Sequence, residues 1–91
     1  MKAADCRANE VIGELLRDAR VAMGLSQTKF LHKFLAIDPD CTWDTAEISR
    51  FESGKKRVTP FYLEMYAKVM GITLPEMFRR VANAVEADIK R

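Results

Sequence analysis

RDARVAMGLSQ, at residues 17–27, contains the signals for the end of one helix and the start of the next. Gly24 has the conformational freedom that a helix C-terminus needs, and Ser26 offers a side-chain oxygen to the free amides of a following helix. A second stretch, ISRFESGK at residues 48–55, has the form of a short helix that closes at Gly54 and runs into a basic loop. A short capped helix beside a basic loop is the arrangement by which small helical domains present a probe to a DNA groove.

Length and composition bound the class of protein. The 91 residues support one small domain, and fractions of 48% hydrophobic and 31% charged residues are those of an ordinary globular protein. The net charge of +2 is too small to indicate nucleic-acid binding by itself, so the positions of the cations must decide that question. No apolar run approaches the roughly 18 residues of a membrane span. The polar residues within the first twenty positions argue against a signal peptide.

The two cysteines, Cys6 and Cys41, match no metal-binding spacing. We expect two free thiols in a reducing compartment, and hence a cytoplasmic protein.

A capping pattern recurs four times along the chain and predicts where helices start. In each instance a polar residue is preceded by an apolar residue and followed four positions later by another, which is the hydrophobic staple. The capping residues are Ser26, Asp44, Thr59 and Thr73. Two of the predicted helices also carry a glutamate three positions after the cap, Glu47 and Glu76, as in a capping box. Glycines that mark helix ends are Gly24, Gly54 and Gly71.

These signals predict five helices and no strand. The predicted bounds are about 9–23, 27–37, 45–53 and 60–70, with a fifth helix that begins near Leu74. Pro39 ends the second helix near Asp38, because the residue before a proline is pushed out of helical geometry. Apolar residues recur at helical spacing, so each helix offers one face to a common core. We therefore expect an all-α fold that forms one domain.

Several motifs fall in a characteristic order. They are Arg17-x-x-Arg20-x-x-x-Gly24-Leu25-Ser26-Gln27, Ile48-x-x-Phe51-Glu52-x-Gly54-Lys55, Pro60, and Ala67-x-x-Met70-Gly71-Ile72. In this order they resemble the phage repressor and Cro type of helix-turn-helix, called the xenobiotic-response-element class in bacterial regulators. The resemblance covers roughly residues 11–78. It implies a compact five-helix repressor-like DNA-binding domain at residues 1–78, with residues 79–91 as a helical C-terminal extension.

The resemblance also implies that the third helix lies in the major groove of DNA. Helical spacing turns Ile48 and Phe51 toward the core, with Glu52 at the margin. The outward set, expected to contact bases, is Thr45, Ala46, Ser49 and Arg50. Arginine bonds guanine bidentately, hydroxyls serve either base type, and a methyl group contacts thymine. The alternative interpretation is a short solvent-facing helix with small polar residues.

Contacts with the sugar-phosphate backbone are expected from residues around this helix. The basic loop that follows it contains Lys55, Lys56 and Arg57. Gln27 begins the second helix, whose amino end abuts the backbone in the family, although glutamine is also an ordinary first-turn residue. Arg17 either reaches phosphate or stays on the surface. Arg20 and Glu52 correspond to a family ion pair that ties the first helix to the third.

One segment departs from the family pattern. Between Gln27 and Ile48 the chain has several more residues than the usual compact turn, which extends the connection between the second and third helices. The added loop carries Asp38 and Asp40, which phosphate repels. We therefore expect this loop to fold away from the duplex.

The fifth helix continues an apolar stripe beyond the family module. The stripe consists of Phe78, Val81, Val85 and Ile89. An apolar stripe without a partner in a small domain indicates a second chain, hence a homodimer. A two-fold dimer would place two probe helices roughly 34 Å apart and would predict a palindromic operator. The alternative is that Val81 and Val85 fold back onto the first helix.

Enzymatic functions are not indicated. The chain has one histidine, no glycine-rich phosphate loop and no nucleophile with a nearby base, so no catalytic, metal, cofactor or small-molecule site is expected. Two functions stay open. The first is a nucleoid-associated transcriptional regulator, a repressor that binds double-stranded DNA as a homodimer. The second is a protein-binding module of the same fold, an antitoxin or a modulator of another regulator.

Overall fold

Five helices and no strand make up the part of the chain that the structure, a computed structural model, describes: residues 3–90, with side chains from residue 7 onward. They are α1 (Ala3–Ala22), α2 (Gln27–Ile37), α3 (Thr45–Glu52), α4 (Pro60–Met70) and α5 (Leu74–Ile89). The all-α prediction is thus confirmed, and the globule measures 38 × 24 × 22 Å. Over residues 3–90, no helix has both the length and the apolar character that a bilayer crossing requires.

The predicted N-caps of α2 to α5 are confirmed. Each capping side chain accepts a hydrogen bond from the backbone amide three residues later. The pairs are Ser26 with Lys29 (3.1 Å), Asp44 with Glu47 (3.0 Å), Thr59 with Tyr62 (3.2 Å) and Thr73 with Glu76 (3.2 Å). Each pair satisfies one of the amides that the first turn of a helix leaves free.

The predicted glycine stops are confirmed as well. Gly24, Gly54 and Gly71 have φ angles of 73°, 79° and 78°, the left-handed conformation that other residues adopt only at a cost. Gly54 has a second reason to lack a side chain, because a Cβ there would lie 2.8 Å from Cα of Glu10 on α1. The turn after α3 is therefore held close to α1.

The first helix is longer than predicted. It begins at Ala3, whereas the sequence pattern placed its start near residue 9. Arg7 lies in the added turns and donates to Asp88 of α5, with Nε–Oδ2 at 3.0 Å and Nη2–Oδ1 at 2.6 Å. Because this partner lies near the other end of the chain, the local sequence pattern could not predict the extra turns. The third helix is one residue shorter than predicted, and Ser53 is its C-cap.

The core is built largely from aromatic rings of α2, α3 and α4. Phe51 stacks on Tyr62 with ring centroids 3.7 Å apart, and Phe30 meets Tyr66 at 4.3 Å. Trp43, in the extended connection between α2 and α3, lies 4.6 Å from the Tyr62 ring and 5.4 Å from the Phe51 ring. The connection between α2 and α3 is therefore anchored to the core by its tryptophan.

The fifth helix packs against α1 and α4. It continues without a break from residue 78 to residue 79, so the predicted extension is part of the same helix as far as Ile89. Val81 packs against the core, and Val85 lines an apolar groove that α5 shares with α1. Both residues are thus half-buried and contact the rest of the chain, whereas their expected part in a dimer contact stays a prediction. Phe78 and Ile89 remain exposed, at 42% and 77%.

Candidate nucleic-acid interface

The outward face of α3 carries most of the predicted base-contacting residues. Those that are exposed are Ala46, Ser49 and Arg50. Thr45, at the start of the helix, is half-buried. On the opposite face Ile48 and Phe51 are buried in the core, as the helical spacing predicted. The core contacts thus fix which side of α3 meets the solvent.

Glu52 is more buried than its expected place at the margin, and it forms the predicted ion pair with Arg20. Only 7% of it is exposed, and its carboxylate accepts hydrogen bonds from Arg20 on α1, Nε–Oε2 at 2.7 Å and Nη2–Oε1 at 3.0 Å. Arg20 also donates to the backbone carbonyl of Leu25, at 2.7 Å. One arginine therefore holds α3 and the turn between α1 and α2 together.

The Glu52 carboxylate also receives hydrogen bonds from the other helices around it. Gln27 at the start of α2 donates to Oε1 at 3.2 Å, and the hydroxyl of Tyr66 on α4 donates to Oε2 at 2.7 Å. Tyr62 lies one turn before and donates to the Tyr66 hydroxyl at 3.4 Å. Four helices thus meet at one carboxylate, which sets the position of α3 within the bundle.

The pKa values in this cluster are shifted so that Arg20 and Glu52 stay charged and Tyr66 stays neutral. Burial alone would raise the pKa of Glu52, but the hydrogen bonds from Arg20, Tyr66 and Gln27 outweigh it and hold the pKa below its ordinary value. The hydrogen bond to Glu52 raises the pKa of Arg20 further. Burial raises the pKa of Tyr66 far above its ordinary range, so the phenol stays a donor. The cluster is therefore an ionised pair supported by neutral donors.

A close approach between α1 and α3 depends on a residue that sequence reasoning missed. Gly13 on α1 faces the end of α3, where a Cβ would lie 2.5 Å from the carbonyl oxygen of Phe51 and 2.6 Å from that of Glu52. Both are backbone atoms, which cannot move aside without shifting α3. A glycine in the middle of a predicted helix is the signal that could have indicated this contact.

Three helices contribute to one open depression beside α3. It has a volume of about 200 Å³ and is lined by Arg17, Gln27, Ser49, Glu52 and Ser53. The depression thus brings together two residues that were predicted to contact the DNA backbone and one that was predicted to contact bases. Arg17 is exposed, with Nη1 at 3.8 Å from the carboxylate of Asp18. Its two options, phosphate contact and plain surface, stay open.

The basic loop after α3 is exposed throughout. It contains Lys55, Lys56 and Arg57. Nζ of Lys56 lies 5.5 Å from the centroid of the Phe51 ring, a cation–π contact that ties the loop to the helix. Cations therefore continue from the outward face of α3 into the loop.

Glu47 binds two cations of this surface, and the capping-box prediction for it is wrong. Its carboxylate accepts a hydrogen bond from Nη2 of Arg50 at 2.8 Å and another from Nζ of Lys56. These two hydrogen bonds, that of Lys56 first, lower the pKa of Glu47 below its ordinary value. Only the backbone amide of Glu47 takes part in the cap, through the side chain of Asp44. The spacing of three residues between Asp44 and Glu47 suggested a capping box, whereas the contact between Glu47 and the loop could not be predicted from that spacing.

Three further predictions concern the acidic loop, the two cysteines and metal binding. Asp38 accepts a hydrogen bond from the backbone amide of Asp40 at 3.2 Å, which closes the loop locally, and its orientation relative to DNA stays a prediction. Cys41 is a free thiol, whereas the side chain of Cys6 lies outside the described residues. Among the described side chains, no three or more of His, Cys, Asp and Glu are grouped to hold a metal ion.

No family model, no curated protein and no solved structure matches this chain. The resemblance to the repressor and Cro class therefore rests on the sequence motifs alone.

Proposed function

We propose that this protein is a sequence-specific DNA-binding transcriptional regulator, a repressor in which α2 and α3 form a helix-turn-helix. The observation that carries the proposal is the convergence of Arg17, Gln27 and Ser49 on one open depression beside the exposed face of α3. A probe helix flanked by phosphate-binding groups is what groove recognition requires. The cytoplasmic nucleoid is the location that this function implies.

Base recognition falls to the exposed side chains of α3. Arg50 has half of its side chain exposed and is the residue of this set best suited to guanine, which it can bond through two parallel donors. The Ser49 hydroxyl serves either base type, and the Ala46 methyl suits thymine. Thr45 is half-buried and contributes its hydroxyl at the start of the helix.

Phosphate contacts surround this helix. Lys55, Lys56 and Arg57 follow α3 in the chain, and Arg17 lines the depression beside it. Gln27 stands at the amino end of α2, where free amides and the positive end of the helix dipole favour an anion. Its hydrogen bond to Glu52 uses one N–H of the side-chain amide, and the second N–H is left for phosphate.

The proposed active species is a homodimer on a palindromic operator. The exposed apolar residues of α5, Phe78 and Ile89, offer the surface for a second chain. A two-fold dimer presents two α3 helices to successive major grooves, roughly 34 Å apart.

The test is DNA binding as a function of salt. Fluorescence anisotropy with a mixed-sequence duplex should show affinity that falls steeply as salt rises, by about one logarithmic unit per phosphate contact for each tenfold rise in salt. Lys68→Ala is a matched control, because Lys68 lies on α4, pairs with Glu64 and lines a different depression with Lys33. Its salt slope should equal that of the wild type.

A negative result is equally informative. If the protein binds no duplex at low salt, the regulator is excluded and the protein-binding module becomes the better function. If it binds, selection of duplexes from a random pool identifies the operator.

A further inference from the structure

We propose that Glu47 is a specificity-determining residue of this interface. Its carboxylate orients the Arg50 guanidinium toward one base pair and weakens the attraction between Lys56 and phosphate. This inference rests on the proposed function and adds a role that the cationic residues do not have. It begins from the position of Glu47 as the one carboxylate seen to join α3 to the basic loop within the described residues.

The first step concerns how firmly Glu47 is held. It lies in the first turn of α3, its backbone amide is bound by the side chain of Asp44, and only 13% of its side chain is exposed. Because its backbone is capped and most of its side chain is buried, the carboxylate can follow a partner that swings out toward DNA only over a short distance. Its charge therefore stays close to the outward face of α3 when Arg50 or Lys56 moves.

The second step concerns Arg50. A guanidinium has five N–H donors in a planar fork, and Glu47 takes a hydrogen bond from Nη2. The remaining donors can still form a bidentate contact with a guanine edge. An arginine braced in this way loses less freedom on binding than one that moves freely, and the brace favours one direction. Without Glu47 the same side chain could turn to any nearby phosphate.

The third step concerns Lys56. Its ammonium group lies between the Glu47 carboxylate and the face of the Phe51 ring. A phosphate has to compete with this carboxylate for the Lys56 cation, and the carboxylate also repels the phosphate itself. Binding to any sequence is thereby weakened, while a site that satisfies Arg50 recovers the loss. Discrimination between partners is a difference of affinities, so this common weakening alone leaves the ratio unchanged, and the preference itself comes from the base pair that the braced Arg50 can bind.

The experiment compares Glu47→Gln with the wild type on two duplexes, the selected operator and a mixed sequence, across a salt series. Glu64→Gln is the matched control, because it removes the same charge from an α4 ion pair with Lys68. For Glu47→Gln we expect tighter binding to the mixed sequence and a salt slope greater by about one unit. The ratio of operator to mixed-sequence affinity should fall by about tenfold, at the base pair where Arg50→Ala also relaxes preference.

A shorter carboxylate separates charge from geometry. Glu47→Asp keeps the negative charge near Lys56 but is one methylene too short to brace Arg50 in the same direction, so it should retain the wild-type salt slope while losing base preference. Far-ultraviolet circular dichroism confirms that each variant is folded.

The possible outcomes are distinct. Equal affinity ratios and salt slopes for Glu47→Gln and Glu64→Gln would overturn the role of Glu47 and leave the proposed function intact. A wild-type protein that binds neither duplex would overturn both.

Discussion

Arg20 on α1 and Glu52 on α3 form a bidentate ion pair that is almost fully buried. The two guanidinium nitrogens Nε and Nη2 lie 2.7 and 3.0 Å from the carboxylate oxygens, and the residues are 8% and 7% exposed. Since Gln27 and Tyr66 bind the same carboxylate, the pair also fixes where α2 and α4 meet α3. The direction in which α3 presents its outer face depends on this contact.

Loss of the Glu52 charge should destabilise the protein strongly. Glu52→Gln leaves Arg20 buried without its counter-ion, and removing one partner of a buried pair typically costs about 3–5 kcal/mol. Urea unfolding at neutral pH measures the change in the free energy of unfolding. Glu64→Gln, at a partly exposed pair on α4, should cost less than about 1 kcal/mol. Equal losses for the two variants would contradict the role given to the pair.

The effect of Glu52→Gln should depend on pH. Because the pKa of Glu52 is lower in the folded protein than its ordinary value of 4.5, ionisation stabilises the fold above that value. This contribution is lost as the pH falls through the lower folded pKa. The difference in unfolding free energy between wild type and Glu52→Gln should therefore shrink below about pH 4.5. Glu47 also has a lowered pKa, but it is present in both proteins and cancels in the comparison. A difference that stays constant from pH 7 to pH 3 would contradict the prediction.

Arg50 and Lys55 should affect DNA binding in different ways. Arg50→Ala should relax preference at one base pair by about 1–3 kcal/mol. Lys55→Ala should weaken all sequences alike and reduce the salt slope by about one unit. Anisotropy titrations with a panel of single-base operator variants distinguish the two patterns. Uniform weakening by both substitutions would mean that α3 does not read bases.

Gly13→Ala should lower stability, although alanine favours helices. In an unobstructed helix the change would stabilise by about 1 kcal/mol. Here the new methyl group meets the carbonyl oxygens of Phe51 and Glu52 at 2.5 and 2.6 Å, so α1 and α3 must separate. We expect a loss of about 1–3 kcal/mol in urea unfolding. A gain in stability would show that the two helices are farther apart.

Two substitutions on α5 should separate folding from dimerisation. Val81→Ala removes a side chain that packs against the core and should reduce stability by about 1–2 kcal/mol. Ile89→Ser changes a residue that is 77% exposed, so it should leave the unfolding of the single chain unchanged and raise the monomer fraction in sedimentation velocity. A wild-type protein that sediments as a monomer at high micromolar concentration would contradict the dimer.

Several contacts could not be predicted from the sequence. The first turns of α1 carry no capping signal, and their partner Asp88 lies near the far end of the chain. A glycine inside α1 can indicate a close approach, but the sequence does not show that the approaching element is α3. Glu47 was expected to bind the amide of its cap because only its local spacing was visible. In each case the deciding partner belongs to another element.

Apart from the start of α1, the sequence predicts the helix boundaries to within one residue. The caps at Ser26, Asp44, Thr59 and Thr73 are bonds within a single turn, so the order of neighbouring residues was sufficient for them. The packing of the helices decides which side of α3 is exposed, which carboxylate is buried and which cations share a counter-ion. Those features arise from contacts between residues far apart in the chain, and only the folded arrangement brings such residues within hydrogen-bonding distance.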